Sequence, residues 1–263
     1  MLFVNKRRLK DFYEKEAERL QHQEVMYLKG NKYEVWWHRK RLRFIISFLQ
    51  EIFERTHITT FADIGCAEGI FVKYVASLKN GCFCVGADIA RKYVEKAKVK
   101  NTKSNVDYIV CDVENLPFKT GSIDLILCSE VLEHVYNYQK ALNELCRVGK
   151  KQLVISFPGH SYFYKIVNKI RGLQQFVTAL MPRVGHVSEI EVREIKNITS
   201  GKCKFCAIKI GGAFPLFVYK KLCCIQLIEA IDSLLCKVLE HFRATNYATI
   251  HVIRMEKKRR KYS

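Results

Sequence analysis

Two aspartates in the first half of the chain have the residue type and spacing to bind a ligand. Asp63 ends an apolar run, and Gly65 and Gly69 follow it at once. Glycines let a backbone turn close on a ligand, because no side chain stands in the way. Asp88 ends a second apolar run about 20 residues beyond this turn, where open α/β sheets hold ribose hydroxyls. Since a carboxylate accepts two hydrogen bonds from a cis-diol, Asp88 is expected to bind ribose, and capping the helix over 91–100 is its alternative role.

The elements that position Asp63 follow from the local pattern. The apolar run Ile58 to Ile64, the glycine turn and the helical spacing of Ile70 to Leu78 predict a strand, a turn and a helix. This order builds a nucleotide-sized pocket at the carboxyl edge of an open α/β sheet. Asp63 suits a cationic or hydroxyl-rich ligand better than a pyrophosphate. A dinucleotide site would want three glycines and no acid in the turn, and a tight turn without any ligand is the remaining alternative.

Further apolar runs predict the rest of a sheet. They cover 82–88, 107–111, 124–128, 151–157, 206–210 and 249–255. Upstream, apolar residues recur at helical intervals over 5–28 and 33–55, which predicts two helices ahead of the first strand. We therefore divide the chain into a helical N-terminal cap, 1–57, and a main domain, 58–263.

Several motifs resemble one family. Asp63 to Gly69 reads D-I-G-C-A-E-G and resembles the first motif of the class I S-adenosylmethionine-dependent methyltransferases, with Ala67 in place of the middle glycine. The segment 111–118, C-D-V-E-N-L-P-F, is similar to a later motif, and 121–126, G-S-I-D-L-I, follows in the expected order. The chain is similar to the small-molecule or ubiquinone-biosynthesis type of this family. The resemblance implies an α/β fold with a Rossmann-like, seven-stranded, mostly parallel sheet and helices on both faces.

The resemblance also implies S-adenosyl-L-methionine as cofactor and a set of residues to hold it. Asp112 would meet the adenine amino group, the backbone amide of Val113 a ring nitrogen, and Arg39 of the helical lead-in the methionine carboxylate. Arg39 stands beside two tryptophans that have the alternative role of pinning their helix to the sheet. The full predicted cofactor-binding set is Asp63, Gly65, Cys66, Gly69, Asp88, Ile89, Asp112, Val113, Glu130 and Arg39.

Candidate catalytic residues follow the fourth strand. Glu130, Glu133 and His134 would converge on one face if this piece were helical. Some family members use such a set to hold a divalent cation, whereas metal-free relatives carry the same residues, and we favour no metal. His134 is then a candidate general base, because the ordinary pKa of histidine lies near neutrality. His186, in a Gly-His-x-x-Glu sequence that resembles another family signature, is a second candidate that faces the acceptor or caps a helix.

The function predicted from these residues is transfer of a methyl group to a hydroxyl or amine of a small molecule or of a lipid- or glycan-linked acceptor. Two alternatives remain. One is an RNA methyltransferase, with a metal held by Glu130, Glu133 and His134, and the other is a catalytically silent binding subunit of the same fold.

The amino-acid composition limits these functional hypotheses. The 263 residues carry a net charge of +19, which favours an anionic partner such as nucleic acid, an acidic membrane surface or a phosphorylated substrate, or else reflects a solvated lysine-rich surface. No signal peptide or transmembrane segment is expected, so we predict a cytoplasmic protein. Many of the eleven cysteines lie in apolar runs and are expected to be reduced and buried. The single C-x-x-C of Cys203 and Cys206 is weak support for zinc.

An unusually long segment separates the last two predicted strands. Apolar residues at 224, 228, 231, 235, 238 and 242 predict an amphipathic helix within an insertion at about 213–245. Its polar face would comprise Gln226, Glu229, Ser233, Lys237 and Glu240. We expect this helix, over 214–243, to dock on its own domain, to pair with a second subunit or to lie on a membrane surface.

Overall fold

One seven-stranded sheet forms the centre of the molecule. The computed structural model describes residues 6–19, 25–29, 32–159, 188, 190–213, 225–241 and 248–258. The strands are β1 Thr60–Ile64, β2 Phe83–Asp88, β3 Val106–Val110, β4 Ile123–Ser129, β5 Gly149–Pro158, β6 Cys203–Gly211 and β7 Ile250–Lys257. Their order is β3-β2-β1-β4-β5-β7-β6, and only β7 runs antiparallel to its neighbours. The predicted seven-stranded, mostly parallel sheet is confirmed.

Helices cover both faces of this sheet. The α-helices are α1 Lys6–Arg19, α2 Lys32–Arg55, α3 Ile70–Leu78, α4 Arg91–Lys100, α5 Tyr138–Val148, α6 Val192–Thr199 and α7 Ile225–His241. A π-helix spans Val25–Lys29, and a 3-10 helix spans Leu132–His134. Within the predicted helix over 5–28, the structure describes α1 and the π-helix, and residues 20–24 lie outside the described residues.

Two apolar layers hold the helices to the sheet. On one face, α2, α3 and α4 bury a continuous cluster against β1, β2 and β4, in which Phe48 and Leu49 meet Phe61 and Leu125. On the other face, α5 and α6 bury their apolar stripes against β4, β5 and β7. Because α2 shares its cluster with β1, the predicted boundary at 57/58 passes through this layer.

The strand order places β1 beside β4 at the centre of the sheet. The chain leaves β1 towards α3 on one face and reaches α5 on the opposite face after β4. Such a reversal separates the two connections and opens a crevice at the carboxyl ends of the strands. The sequence motifs around Asp63 and Glu130 lie on the two sides of this switch point.

The insertion helix α7 docks on its own chain through charged groups. Asp232 is fully buried and accepts hydrogen bonds from the backbone N–H groups of Gly212 (3.1 Å) and Ala213 (2.7 Å). The ammonium of Lys40 on α2 lies 2.7 Å from the same carboxylate. A helix is therefore formed where predicted, but its inward face is centred on an acid rather than on the apolar stripe alone.

This orientation corrects the predicted faces of α7. Val238, expected inside, is 43% exposed, whereas Glu229, expected on the solvent face, lies 3.1 Å from Lys40 and accepts a hydrogen bond from the Trp36 indole. The physical reason is that Lys40 is itself buried, and a buried charge requires a partner of opposite sign. Hydrophobic periodicity carries no information about such a pair.

The cysteines Cys203 and Cys206 lie on β6 and have separate partners. The Cys203 Sγ lies 3.5 Å from the Sγ of buried Cys146, whereas the Cys206 thiol contacts the carbonyl of Lys204. The nine described cysteines are all free thiols. No helix in the described ranges is long and apolar enough to span a membrane.

Candidate functional site

Six acidic side chains lie at or just beyond the carboxyl ends of β1, β2, β3 and β4, and we call this region the acidic crevice. They are Asp63, Asp88, Asp112, Glu114, Glu130 and Glu133. Neighbouring parallel strands bring their carboxyl ends to one edge, so acids far apart in the chain become neighbours. The charge of Asp88, for example, raises the pKa of Asp63 on the adjacent strand.

The glycine turn between β1 and α3 is tightly packed against its surroundings. Gly65 and Gly69 both have φ of +79°, a left-handed conformation that side chains rarely adopt. A Cβ at Gly65 would lie 2.1 Å from the Val131 side chain, and one at Gly69 would lie 2.6 Å from the Tyr108 hydroxyl. Ala67, which takes the place of the usual middle glycine, is held at φ of +44°.

Asp88 holds this turn in place. Its carboxylate accepts hydrogen bonds from the backbone N–H groups of Ala67 and Ala90, each at 2.9 Å. Burial raises the pKa of Asp88 to about 6, against the opposing effect of these backbone donors. The alternative role predicted for Asp88, capping the helix over 91–100, belongs instead to Glu14 of α1. The Glu14 carboxylate accepts from the N–H groups of Arg91 (2.8 Å) and Lys92 (3.1 Å).

Asp63 is buried with one carboxylate oxygen that has no hydrogen-bond donor among the described residues. It is 1% exposed, and its Oδ2 accepts no hydrogen bond from any part of the chain that the structure describes. Burial, with a further contribution from Asp88, raises the pKa of Asp63 to about 8. Burying a carboxylate in this way is costly, and a cationic ligand would offset that cost.

The N-terminal helix α1 crosses the crevice. The Lys6 ammonium lies 2.9 Å from the Asp112 carboxylate and 2.5 Å from that of Glu114. Further along α1, the Tyr13 ring makes an edge-on contact with the His134 ring at 5.7 Å. The Tyr13 hydroxyl is buried and has no hydrogen-bond partner among the residues described, and burial raises its pKa well above the usual range, as does the charge of Glu133. A helix predicted only as part of a cap thus supplies groups to the site.

Glu130 is paired with Arg41, a residue that sequence reasoning missed. Arg41 Nη1 lies 2.8 Å from Glu130 Oε2, and the Ser156 hydroxyl donates to Glu130 Oε1 at 3.1 Å. Arg41 is almost completely buried, whereas the predicted Arg39 is exposed and donates its Nε–H to the carbonyl of Tyr27. Residues two apart on a helix point in nearly opposite directions. The rotation of α2 about its axis therefore decides which of the two arginines faces Glu130.

Glu130, Glu133 and His134 do not share one helical face. Glu130 has φ of +56° and precedes the 3-10 helix that carries the other two. Glu133 is 2% exposed, its carboxylate oxygens have no hydrogen-bond donor within the described ranges, and burial together with Glu130 raises its pKa well above the usual value. His134 Nε2 lies 3.6 Å from Glu133 Oε1. The common face that we expected if this piece were helical is therefore not formed, because Glu130 lies outside the 3-10 helix and pairs with the Arg41 guanidinium.

The remaining predicted residues have different environments. Asp112 is partly exposed and accepts the N–H of Glu114 at 2.9 Å. Val113 is buried, as is Cys66, whose N–H donates to the carbonyl of Ala87 at 3.0 Å. Ile89, next to Asp88, is partly exposed. His186 lies outside the described residues.

Comparisons with known proteins identify the central part of the chain. Residues 62–156 match the family described as methyltransferase domain. An uncharacterized protein of Methanocaldococcus jannaschii is 36% identical over 107 residues, which are 41% of this chain and 43% of that protein. A ubiquinone biosynthesis O-methyltransferase of Coxiella burnetii is 28% identical over 109 residues, 41% of this chain and 43% of that enzyme. The chain therefore spans less than half the length of these curated relatives.

Solved structures agree over much more of the chain. The magnesium protoporphyrin IX methyltransferase of Synechocystis, crystallised with S-adenosylhomocysteine, superposes with a TM-score of 0.66 at 14% identity and covers 97% of this chain and 100% of its own. A complex of a Haloferax volcanii methyltransferase activator with its putative methyltransferase gives 0.62 at 12% identity, with 97% and 100% coverage. At such identities the likeness concerns the fold. Residues 62–156 thus match a methyltransferase domain, and the chain shares the fold of these solved methyltransferases.

Proposed function

We propose that this chain binds S-adenosyl-L-methionine in the acidic crevice and transfers its methyl group to a hydroxyl or amine of a small molecule or of a lipid- or glycan-linked acceptor. The observation that carries the proposal is Asp63, a buried carboxylate beside Asp88 with an oxygen that the described chain leaves without a donor. An excess of buried acids selects a cationic ligand, and S-adenosylmethionine carries positive charge on its sulfur and its amino group.

The residues at the strand ends fit the parts of this cofactor. Asp88 has lone pairs beyond those that accept from Ala67 and Ala90, which suits the two ribose hydroxyls. Asp112 is partly exposed and is an acceptor for the adenine amino group. The cationic end of the cofactor would lower the raised pKa of Asp63 and pair with its ionised carboxylate. The glycines at 65 and 69 let the turn take its left-handed conformation and pack closely against Val131 and Tyr108.

The bound cofactor supplies an electrophilic methyl group on a positively charged sulfur. The contribution of this chain is to orient the acceptor and to take up a proton. His134 is the candidate for the proton, because its ring lies beside Tyr13 and the Glu133 carboxylate and the ordinary pKa of histidine is near neutral. Tyr13 and the rest of α1 would shield the reacting groups from water.

RNA is the second candidate acceptor, on the strength of the net charge of +19. A polyanion would neutralise many of these cations, and its binding would weaken steeply with salt. Binding of a small acceptor would not weaken steeply with salt.

Calorimetric titration with S-adenosylmethionine tests the cofactor proposal. We expect the wild type to bind, Asp63→Asn to lose about tenfold or more in affinity because one charge is removed, and the exposed Glu95→Gln to bind as the wild type. Absence of binding by the wild type would contradict the proposal and favour the silent binding subunit.

A second experiment identifies the acceptor. Methyl-labelled S-adenosylmethionine is incubated with the protein and with fractionated small-molecule, lipid and RNA extracts. Label in the first two fractions supports the proposal, whereas salt-sensitive label in RNA alone would replace it with the second candidate.

A further inference from the structure

A second large cavity lies on the helical side of the glycine turn. Its volume is about 970 Å³, within the range of sites that hold small molecules. This open concave site is lined by the π-helix, the first half of α2, the start of α3, the end of α4 and the start of α7. None of the six acids of the acidic crevice is among its described lining residues, although Gly69 of the glycine turn is.

The cavity combines an apolar wall with an excess of positive charge. Leu28, Val35, Leu42, Ile70 and Ile225 contribute apolar surface. Five lining residues are cationic and one, Glu68, is acidic, so we call this site the basic cavity. Its cations are Lys32, Arg39, Arg43, Lys73 and Lys100.

Carboxylates of the chain itself pair with only some of the cations in the basic cavity. Lys100 lies 3.3 Å from Glu68, and Arg43 lies 3.2 Å from Glu229. Arg39 donates to a backbone carbonyl, which leaves its charge uncompensated. Lys32 and Lys73 form no ion pair with any carboxylate in the described part of the chain. At least three cations therefore remain for a ligand.

The concave shape of the basic cavity and its partly apolar lining favour one class of anionic ligand over the others. A free phosphate would use the cations and leave the apolar wall in water, and a flat membrane surface would not enter a concave cavity. A nucleic acid would need an exposed aromatic face for stacking, yet the lining Trp36 is buried and hydrogen-bonded to Glu229. A single hydrocarbon chain with an anionic head group uses both halves of the lining.

We propose that the basic cavity binds a single-chain amphiphile with an anionic head, its chain on the wall formed by Val35, Leu42 and Ile70 and its head beside Lys73 and Lys32. This site is independent of the methyl-transfer chemistry. Its ligand is bound whether or not the acidic crevice holds a cofactor.

The test is displacement of the fluorescent fatty acid cis-parinarate by oleate, measured on the full chain without S-adenosylmethionine. We expect a dissociation constant on the order of 10 µM for oleate and at least about tenfold weaker binding of the neutral oleyl alcohol. Val35→Trp, which fills the cavity, should weaken oleate binding about tenfold, whereas Val99→Trp on the exposed side of α4 should have no effect. Lys73→Gln should weaken it about threefold and Lys98→Gln not at all.

Several results would overturn the proposal. They are absence of displacement by oleate, equal affinity for oleate and oleyl alcohol, or an equal effect of Val35→Trp and Val99→Trp. Binding to phosphatidylglycerol vesicles that is unchanged by Val35→Trp, without binding of oleate, would assign the charge to a membrane surface instead. Because calorimetry with S-adenosylmethionine is run separately, each site can fail without the other, and circular dichroism of each variant checks that it is folded.

Discussion

The acidic crevice and the basic cavity meet at the same glycine turn but carry opposite charge. Gly65 packs against Val131, which follows Glu130 of the crevice, while Gly69 lines the cavity. The crevice buries carboxylates such as Asp63 and Asp88, whose pKa values are raised by burial, whereas the cavity holds its cations at the rim, where most are exposed. One site is thus built for a small cation, and the other for an amphiphile whose charge stays near water.

The difference follows from the elements that carry the charges. In the crevice, short side chains sit at strand ends and accept from the backbone, as Asp88 does from Ala67. In the cavity, long lysine and arginine side chains project from helices and keep their rotational freedom. The acids at the strand ends are therefore held in fixed positions, whereas the cations on the helices can move to meet a ligand.

We expect the largest effect on stability from a buried lysine that pairs with carboxylates of the chain and is therefore not available to a ligand. Lys40 is 3% exposed and lies between Asp232 and Glu229 of α7. Lys40→Met leaves the Asp232 carboxylate buried without its cation and should lower the free energy of unfolding by about 3–5 kcal/mol. Thermal denaturation checks this, with the exposed Lys98→Met as control. Equal melting temperatures for the two variants would show that α7 is not held by this pair.

Asp88 tests the crevice as a binding site. Asp88→Ala should weaken S-adenosylmethionine binding by about 100-fold, or 2.7 kcal/mol, because the ribose acceptors are lost. It should also lower the melting temperature, since the Ala67 and Ala90 N–H groups lose their acceptor, which the sequence did not predict. Asp88→Asn, which keeps one oxygen, should lie between the two in calorimetry. Unchanged affinity in both variants would contradict the ribose assignment.

A substitution at Asp63 tests whether burial of this carboxyl destabilises the ligand-free protein. The unfolded chain releases this proton near pH 4 and the folded chain near pH 8, so the folded state binds more protons between them. Ligand-free stability should therefore fall as the pH rises through this window. Asp63→Asn should reduce this dependence, to which Asp88 and Glu133 also contribute, and should raise stability at pH 7.5 by at least about 1 kcal/mol, or roughly 2–4 °C.

Melting curves of the ligand-free protein from pH 5 to pH 8 provide the measurement, with Glu95→Gln as control. A wild type whose stability rises over this range would show that Asp63 is compensated after all. The same variant should bind the cofactor less well, so stability and affinity should move in opposite directions.

The smallest effect concerns the contact of α1 with the crevice. Lys6 is partly exposed, so its pairs with Asp112 and Glu114 should contribute less than about 1 kcal/mol. Lys6→Gln should lower the melting temperature slightly in low salt, and the difference from the wild type should vanish near 1 M salt, where the Debye length is about 3 Å. A difference that persists at high salt would indicate packing rather than charge.

The strand-turn-helix unit at Asp63 and the acid at the end of β2 were predictable from sequence because each depends on neighbours in the chain. β1 and α3 were observed within two residues of the predicted ends. The positions of Asp63 and Asp88 at one sheet edge followed from the general rule for parallel strands. The role of Glu14 at the start of α4 was not predictable, because an acid on a helix is usually a solvent-exposed residue.

By itself, the sequence determined the class of fold, the glycine turn and the acids at the strand ends, since these depend on short-range pattern and on a topology that such patterns share. Only the tertiary structure decided that Arg41 reaches Glu130 while Arg39 donates to the Tyr27 carbonyl, that α7 turns Asp232 inward, and that α1 crosses the crevice. The physical reason is that helix rotation and docking are set by pairs of groups far apart in the chain, whose energies no local pattern contains.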